Sequence, residues 1–490
     1  MDDEKKDDAK KPDAPKKKGD GKPPPEEKRS ITTHEVTLDG KRIRYVATAS
    51  TSFLRAPDDD EPRASVFTVS YVLEGGDEKR PITFCFNGGP GSSSVWLHLG
   101  MLGPRRAAFP DPEHPPPPPY RLEDNDASIL DVSDLVFVDP IGTGYSRTLG
   151  EGKSEDYHGV QGDLESMADF VRLWVTRNRR WNSPKVLLGE SYGGTRVAAL
   201  APMLQDAGMT LNAVVLISPA LDFAALDFSP GHDLPYALYL PSYAAVASYH
   251  RVLSPAPKDL TAFLAEAREF SISEYLPALM RGASITESHK ARMVKELARF
   301  TGLEPEWLSR SELRIDGARF CKELLRKRGH TVGRLDARFV GLDPDAQSSE
   351  MQRDPSYTAP YGPYAALMND YVRRELGFED DRAYEILSLK INEAWKWQLP
   401  KGRAFGYPNV VADLRRAMLD NPHLRVFFGS GLYDLATPFF ASEHAAQHLG
   451  AEAHVRANVT ESIYQAGHMM YLHAPSRAQL RKELASFCSR

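Results

Sequence analysis

The pattern of apolar and polar residues divides most of the chain into short buried strands and amphipathic helices. Four apolar runs without alternation, typical of strands covered on both faces, occur at 82–86, 134–139, 185–189 and 213–218. Helical stripes lie between them, as at 163–177, where Leu164, Met167 and Phe170 share one face. This alternation predicts an α/β fold built on a doubly wound, mostly parallel sheet.

Further strands are predicted before and after this region. Asp39 and Gly40 separate two alternating runs, which is typical of a hairpin whose turn needs positive φ, and a third strand is predicted over 64–73. Later in the chain, apolar runs predict strands at 425–429 and 453–459 with a helix over 438–449 between them. The sheet is therefore expected to resume and finish there.

Two segments depart from the strand and helix alternation. Between 222 and 371 amphipathic helical segments occur without clear strands, which predicts a helical cap inserted between core segments 31–221 and 372–490. Residues 1–30 are rich in Lys, Asp, Glu and Pro and have almost no large apolar side chain, so burial cannot offset the entropy of ordering them. A disordered tail is predicted over 1–30, and the proline run Pro115–Pro119 predicts a stiff loop.

Composition narrows the class of protein. Of 490 residues, 41% are hydrophobic and 26% charged, which is ordinary for a globular protein without membrane insertion. The formal net charge of −6 argues against a nucleic-acid partner, which usually needs a concentrated basic face. Because no secretory signal pattern is present, the cytoplasm is the expected compartment, while a processed periplasmic or secreted form stays open. The three cysteines, Cys85, Cys321 and Cys488, indicate neither a disulfide framework nor a zinc site.

The strongest local motif surrounds Ser191. Residues 189–193 match G-x-S-x-G directly after an apolar strand and before a helical run, the context of the nucleophile elbow of α/β-hydrolases. A chance pentapeptide before a helix is the alternative interpretation. In the glycine-rich segment 86–91 after an earlier strand, the backbone N–H of Gly89 is predicted to share the oxyanion with that of Tyr192. Without the elbow, that segment would indicate only a tight turn.

A serine nucleophile needs a base and a carboxylate that orients it, here in the order Ser, Asp, His. Asp434 and His468 each follow a predicted strand in a loop with glycine, so they are predicted to complete the triad with Ser191. Less favoured alternatives are Asp222 as the acid and His454 or His473 as the base. His444 and His448 lie four residues apart on a predicted helix, where a solvated face is favoured over a metal pair.

Four motifs in this order, FNGGPGSSS, GESYGGTR, GLYDLATP and GHMMY, closely resemble those of the serine carboxypeptidases, peptidase family S10. The resemblance runs from about residue 80 to the end of the chain. It implies an α/β-hydrolase fold, removal of the C-terminal residue from peptide substrates, and no metal or organic cofactor. It also implies that Asn87, Gly88 and Glu190 bind the terminal carboxylate of the substrate.

The chain departs from the family pattern at two positions. Most members pair the glutamate before the nucleophile with a second glutamate, and Met101 occupies the matching place. We therefore expect a weakened acidic optimum or weakened carboxylate selectivity, because two adjacent carboxyl groups bind each other only when they share a proton. Ser92 stands where eukaryotic members usually carry a half-cystine, which fits a disulfide-free prokaryotic relative.

Alternative functions remain open, and so does the question of which aromatic residues line the active-site cleft. The same scaffold also serves esterases and acyltransferases, and a noncatalytic binding protein would be marked by loss of a triad residue. Aromatic residues in helical segments are more often core than cleft, but four are candidates to line the cleft: Tyr361, Tyr364, Trp395 and Trp397.

Overall fold

The structure, a computed structural model, describes residues 25–55, 60–109, 117–398 and 406–489. The predicted tail over 1–24 and the first two prolines of the proline run lie outside the described residues. The strands are β1 (Arg29–Leu38), β2 (Lys41–Arg55), β3 (Pro62–Leu73), β4 (Ile82–Phe86), β5 (Arg105–Ala107), β6 (Leu122–Asp124), β7 (Asp134–Val138), β8 (Arg147–Thr148), β9 (Lys185–Glu190), β10 (Ala213–Ile217), β11 (Thr331–Val332), β12 (Val340–Gly341), β13 (Arg425–Gly431) and β14 (Val459–Tyr464).

The α-helices follow one another along the same chain, with single turns of 3-10 or π helix between some of them. They are α1 (Val95–Leu97), α2 (Val160–Arg177), α3 (Tyr192–Asp206), α4 (Leu234–Tyr249), α5 (Leu260–Phe270), α6 (Leu276–Met280), α7 (Glu287–Thr301), α8 (Pro305–Arg310), α9 (Gly317–Glu323), α10 (Pro355–Arg374), α11 (Leu389–Glu393), α12 (Val411–Asp420), α13 (Phe439–Gln447), α14 (Ala453–Ala457) and α15 (Ala474–Cys488).

One large mixed sheet organises the molecule. Its strand order is β1-β2-β3-β7-β4-β9-β10-β13-β14, with β8 paired to β3. The six strands from β7 to β14 in this order are parallel, and β1, β2 and β3 form an antiparallel extension. Asp39 and Gly40 both have positive φ, 47° and 75°, in the predicted hairpin turn between β1 and β2. The predicted α/β-hydrolase sheet is confirmed.

Helices cover both faces of this sheet, which explains the apolar runs without alternation. Val186 and Leu188 of β9 pack into one buried cluster, while Leu187 between them packs into the cluster on the opposite face. Both sides of each central strand must therefore be apolar. Strand order also reverses beside β4: the chain leaves β4 toward β7 and leaves β9 toward β10 on the other side. A crevice opens at the carboxyl ends of strands at such a point.

The cap helices form their own apolar cluster. Residues of α4 to α9 pack together, and Leu432, Tyr433 and Leu435 from the loop after β13 join them. Helix α10 is different, because Tyr364, Leu367 and Tyr371 pack into the cluster on the sheet. The chain then runs through α11 before α12 returns to the sheet, so the domain limits 222 and 371 stay a prediction while α10 is packed as part of the core.

Two segments differ from the sequence-based expectations. Described chain inside the predicted tail is paired: Arg29 lies opposite Ser50 in the hairpin, and the Lys28 N–H donates to Thr51 Oγ1 at 2.8 Å. The strand predicted over 453–459 is wrong, since residues 453–457 are helical and the strand begins at Val459. β14 is an edge strand with one partner, and most of its side chains are not fully buried, so its sequence lacks a continuous apolar run.

Cys85, Cys321 and Cys488 are buried free thiols. Within the described ranges, no group of three or more His, Cys, Asp or Glu side chains is arranged to hold a metal ion. No helix in that part of the chain is long and apolar enough to cross a membrane.

A buried ion pair joins the helices beside the crevice. Arg196 of α3 donates from Nε to Asp163 Oδ2 of α2 at 2.8 Å and from Nη1 to the carbonyl oxygen of Asn87 at 2.7 Å. The two charged side chains are only 1% and 2% exposed. Arg196 therefore connects α2, α3 and the loop after β4. Because this contact is buried, loss of either charged partner would leave the other unpaired at a high cost in free energy.

We predict that Arg196→Ala lowers the free energy of unfolding by about 3–5 kcal/mol, because Asp163 is left as a buried, unpaired charge. Chemical denaturation followed by circular dichroism measures this. The matched control is Arg416→Ala, which removes the exposed partner of Asp206 and is expected to cost at most about 1 kcal/mol. Equal losses in the two variants would contradict a special role for the buried pair.

Candidate active site

Ser191 lies on the sharp turn between β9 and α3, at the crevice beside β4. Its backbone angles are φ 60° and ψ −125°, a strained conformation for a residue other than glycine. The neighbouring glycines permit this turn: a Cβ on Gly189 would overlap the carbonyl of Gly193, and one on Gly193 would overlap the carbonyl of Phe86. The G-x-S-x-G spacing is thus required by close backbone packing, and it directs Ser191 into the crevice.

The predicted oxyanion donors border the same crevice. Gly89 and Tyr192 both line the space beside Ser191. Within the described residues, neither backbone N–H donates to another protein acceptor, so both are available to a reacting oxygen. Gly88 lies against this turn so closely that a Cβ there would be 2.5 Å from the Tyr192 nitrogen. The glycines of the loop after β4 therefore allow its backbone to approach the elbow.

Asp434 and His468 are brought together from the loops after β13 and β14. His468 Nδ1 lies 2.7 Å from Asp434 Oδ2, and the two residues are 4% and 0% exposed. Asp434 Oδ1 accepts the backbone N–H groups of Ala436 and Thr437 at 2.8 and 3.0 Å. Thr437 Oγ1 also lies 2.9 Å from Asp434 Oδ2. The carboxylate is therefore held on both oxygens and can orient the imidazole.

Burial alone would lower the pKa of His468, but the charge of Asp434 and the hydrogen bond to it outweigh burial. The charge of Glu190 acts in the same direction, and the net effect is a raised pKa. An imidazolium that forms when the ring accepts a proton is thereby stabilised. This is the electrostatic environment that a general base beside a serine requires.

Glu190 and Asn87 form a second polar pair next to Ser191. Asn87 Nδ2 donates to Glu190 Oε1 at 3.1 Å, and Asn87 Oδ1 accepts the Leu97 N–H at 3.0 Å. Both side chains are almost fully buried. Burial raises the pKa of Glu190 to about 7, although the charge of His468 and donors including Asn87 oppose that rise. Glu190 is therefore a carboxyl group that holds its proton up to neutral pH.

Two cavities meet at Ser191. The first, of about 500 Å³, is bordered by Asn87, Gly88, Glu190, Ser191 and His468. The second, of about 650 Å³, shares Ser191 with the first and is lined by aromatic side chains, including Phe223, Phe228, Tyr239 and Trp397, together with charged ones, including Asp227, Asp316 and Arg319. A chain bound across Ser191 would place one end in each cavity, with the Glu190 pair in only one of them.

The structure separates the rival candidates from this site. The side chain of Asp222 accepts the Ala224 N–H, and His473 Nδ1 hydrogen-bonds Ser476 Oγ. None of the rival acid and base residues lines the two cavities: Asp222, His454 and His473. The rings of His444 and His448 are tilted by 33° with centroids 4.1 Å apart, and neither residue lines the two cavities.

Some residues of the site were not found by sequence reasoning. Thr437 contacts both Asp434 and His468 but was assigned no role, although it lies in the motif GLYDLATP. Arg334 borders both cavities and lies in none of the quoted motifs. The TP that ends the motif around Asp434 was the one signal for Thr437. Of the four aromatic candidates, Trp397 lines the second cavity, Tyr364 and Trp395 are buried in apolar clusters, and Tyr361 is exposed.

Comparisons with known proteins agree with this geometry. The serine carboxypeptidase family model matches residues 57–226. Serine carboxypeptidase-like 20 of Arabidopsis thaliana is 31% identical over 128 residues, which are 25% of this chain and 24% of that protein. The pheromone-processing carboxypeptidase KEX1 of Colletotrichum graminicola is 32% identical over 129 residues, 25% of this chain and 18% of that protein. The matched region thus spans about a quarter or less of these two relatives.

A solved structure extends the likeness in fold over most of the chain. The prohormone-processing carboxypeptidase KEX1(delta)p from Saccharomyces cerevisiae superposes with a TM-score of 0.58 and 16% identity, covering 90% of this chain and 91% of that one. At this identity the superposition shows a shared fold. Over residues 57–226 the chain is similar to the serine carboxypeptidase family, peptidase family S10, and the two curated relatives match about a quarter of the chain.

Proposed function

We propose that the protein is a serine-type carboxypeptidase that releases the C-terminal amino acid from peptides. The observation that carries this proposal is the buried Glu190–Asn87 pair in the same cavity as Ser191 and His468. An ordinary serine hydrolase needs only the nucleophile, base and oxyanion donors. A second polar pair beside them supplies a place for the terminal carboxylate, which is the group that distinguishes a carboxypeptidase substrate.

In this mechanism Ser191 Oγ attacks the scissile carbonyl carbon while its proton passes to His468. The N–H groups of Gly89 and Tyr192 stabilise the oxyanion. The C–N bond then breaks as His468 gives the proton to the departing amino acid, leaving an ester on Ser191. Water attacks this ester with His468 again accepting a proton, and collapse of the second oxyanion returns the proton to Ser191 Oγ.

Glu190 binds the terminal carboxylate only while Glu190 is protonated, because two adjacent carboxylates repel each other. Met101, in the place of a second acid, is a buried core side chain and does not border either cavity. Burial nevertheless raises the pKa of Glu190 to about 7 without such a partner. Below this pH the neutral carboxyl can donate to a substrate carboxylate, and above it the interaction is lost.

We predict that Ser191→Ala lowers kcat for release of the C-terminal residue from an N-blocked dipeptide by about 10⁴-fold or more, since no other group forms the acyl-enzyme. Amino-acid release measured by chromatography tests this, together with stoichiometric labelling of the wild type by a fluorophosphonate. Ser273→Ala, on the exposed side of the cap, is the matched control and should keep full activity. A wild type that is labelled but releases no amino acid would contradict the peptidase proposal and favour an esterase or acyltransferase.

We predict that KM for a peptide with a free C-terminus rises as the pH increases through about 7, because Glu190 loses its proton. Steady-state kinetics from about pH 5 to about pH 9 measures this rise in KM, which is called the KM limb below. The C-terminally amidated peptide and the variant Glu190→Gln should both lack it, since neither pairs two carboxylates. The same limb in all three cases would show that Glu190 does not read the terminal carboxylate.

A further inference from the structure

Two buried oxygen atoms at the floor of the site lack hydrogen-bond partners. Within the described residues, Glu190 Oε2 and the hydroxyl oxygen of Tyr471 are both fully enclosed, and neither has a partner in full hydrogen-bond geometry. The two groups are nevertheless neighbours, since each shifts the pKa of the other. A buried carboxyl oxygen and a buried phenol are complementary, one accepting and the other donating. Leaving two buried polar atoms without hydrogen bonds costs free energy, so a small movement that forms a hydrogen bond between them is favoured.

The chain places Tyr471 beside Glu190 through the segment that carries the base. Tyr471 lies three residues after His468, on the single helical turn Met470–Leu472. Its ring fits because residue 100 is glycine: a Cβ there would lie 2.5 Å from Tyr471 Cε2 and 2.7 Å from the Tyr364 hydroxyl oxygen. Gly100 therefore opens the space next to Glu190 that the Tyr471 ring enters.

We propose that Tyr471 is a positioning residue whose hydroxyl donates to Glu190 Oε2, holds that carboxyl group toward the substrate and sets the pH range over which it binds a terminal carboxylate. This inference rests on the carboxypeptidase function proposed above. Asn87 holds the other oxygen, Oε1, so the two donors together define the orientation of the Glu190 carboxyl plane.

The surroundings of Glu190 determine the sign of the effect. Burial is the largest influence and raises its pKa. Among its neighbours, the charge of His468 and the donors Tyr471 and Asn87 lower the pKa, while the charge of Asp434 raises it. Tyr364 of α10 also faces the carboxyl group, and the charge of Glu190 raises the pKa of that phenol. Because a donor stabilises the carboxylate form, losing the Tyr471 hydroxyl raises the pKa of Glu190 further.

The test is the pH dependence of KM in Tyr471→Phe, which keeps the ring and removes the hydroxyl. We expect the rise in KM for the free-acid peptide to move upward by about one pH unit, with kcat below the limb unchanged, since one lost hydrogen bond to a charged group is equivalent to a shift of that order. At a pH above the wild-type limb, the variant should then bind this substrate up to about tenfold more tightly. A limb that stays at its wild-type position would overturn the proposal.

Tyr384→Phe is the matched control. Tyr384 is another buried phenol without a partner, beside the buried carboxyl group of Asp139, whose Oδ2 is likewise unpaired, and it lines neither cavity. Its removal should leave the KM limb in place. If Tyr384→Phe moves the KM limb as far as Tyr471→Phe does, the shift follows from the loss of any buried hydroxyl group, and the assignment to Tyr471 is wrong.

A spectroscopic measurement separates this inference from the proposed function. The carbonyl stretch of protonated Glu190, obtained as the infrared difference between the wild type and Glu190→Gln, can be titrated without substrate. In the Tyr471→Phe background the band should persist to higher pH, and an unshifted titration would overturn the proposal. Absence of amino-acid release by the wild type would contradict the carboxypeptidase function, while the infrared titration would still decide the role of Tyr471.

Discussion

The link from Arg196 to Asp163 and to the carbonyl of Asn87 is the interaction on which the site depends. It joins the elbow helix α3, the neighbouring helix α2 and the loop after β4. Ser191 comes from the start of α3, whereas Gly89 and Asn87 come from that loop. Their relative positions are therefore set by one guanidinium buried with its partner, an arrangement that is stable only when every member is in place.

Two carboxyl groups act on His468, those of Asp434 and Glu190, and they lie in contrasting environments. Asp434 accepts two backbone N–H groups and lies 2.7 Å from the imidazole, so it is suited to orient the base as an anion. Within the described chain Glu190 accepts one hydrogen bond in full geometry, from the Asn87 amide, and burial raises its pKa to about 7. In the proposed function, Asp434 orients the base, whereas Glu190, with its raised pKa, is the carboxyl group that would meet the terminal carboxylate of a substrate.

Sequence reasoning succeeded where the physical cause is local and failed where it is distant. Central strands were predicted because both of their faces are buried, but the edge strand β14 was displaced by several residues because few of its side chains are enclosed. Helix α10 reads as one more amphipathic cap helix, yet Tyr364 and Tyr371 pack on the sheet. Amphipathic spacing shows that a helix has an apolar face without showing which surface covers that face.

The α/β order can be predicted from the sequence because apolar runs and helical stripes alternate along the chain. The elbow at Ser191 can be predicted because its strained turn requires particular glycines within a few residues. Which side chains surround the two carboxyl groups depends on how the chain folds. Arg196 reaches Asn87, Thr437 reaches His468 and Tyr471 faces Glu190 because crossovers of the parallel sheet bring distant loops to one edge. No fixed separation along the sequence predicts such contacts, because the distance between strand ends is set by the fold.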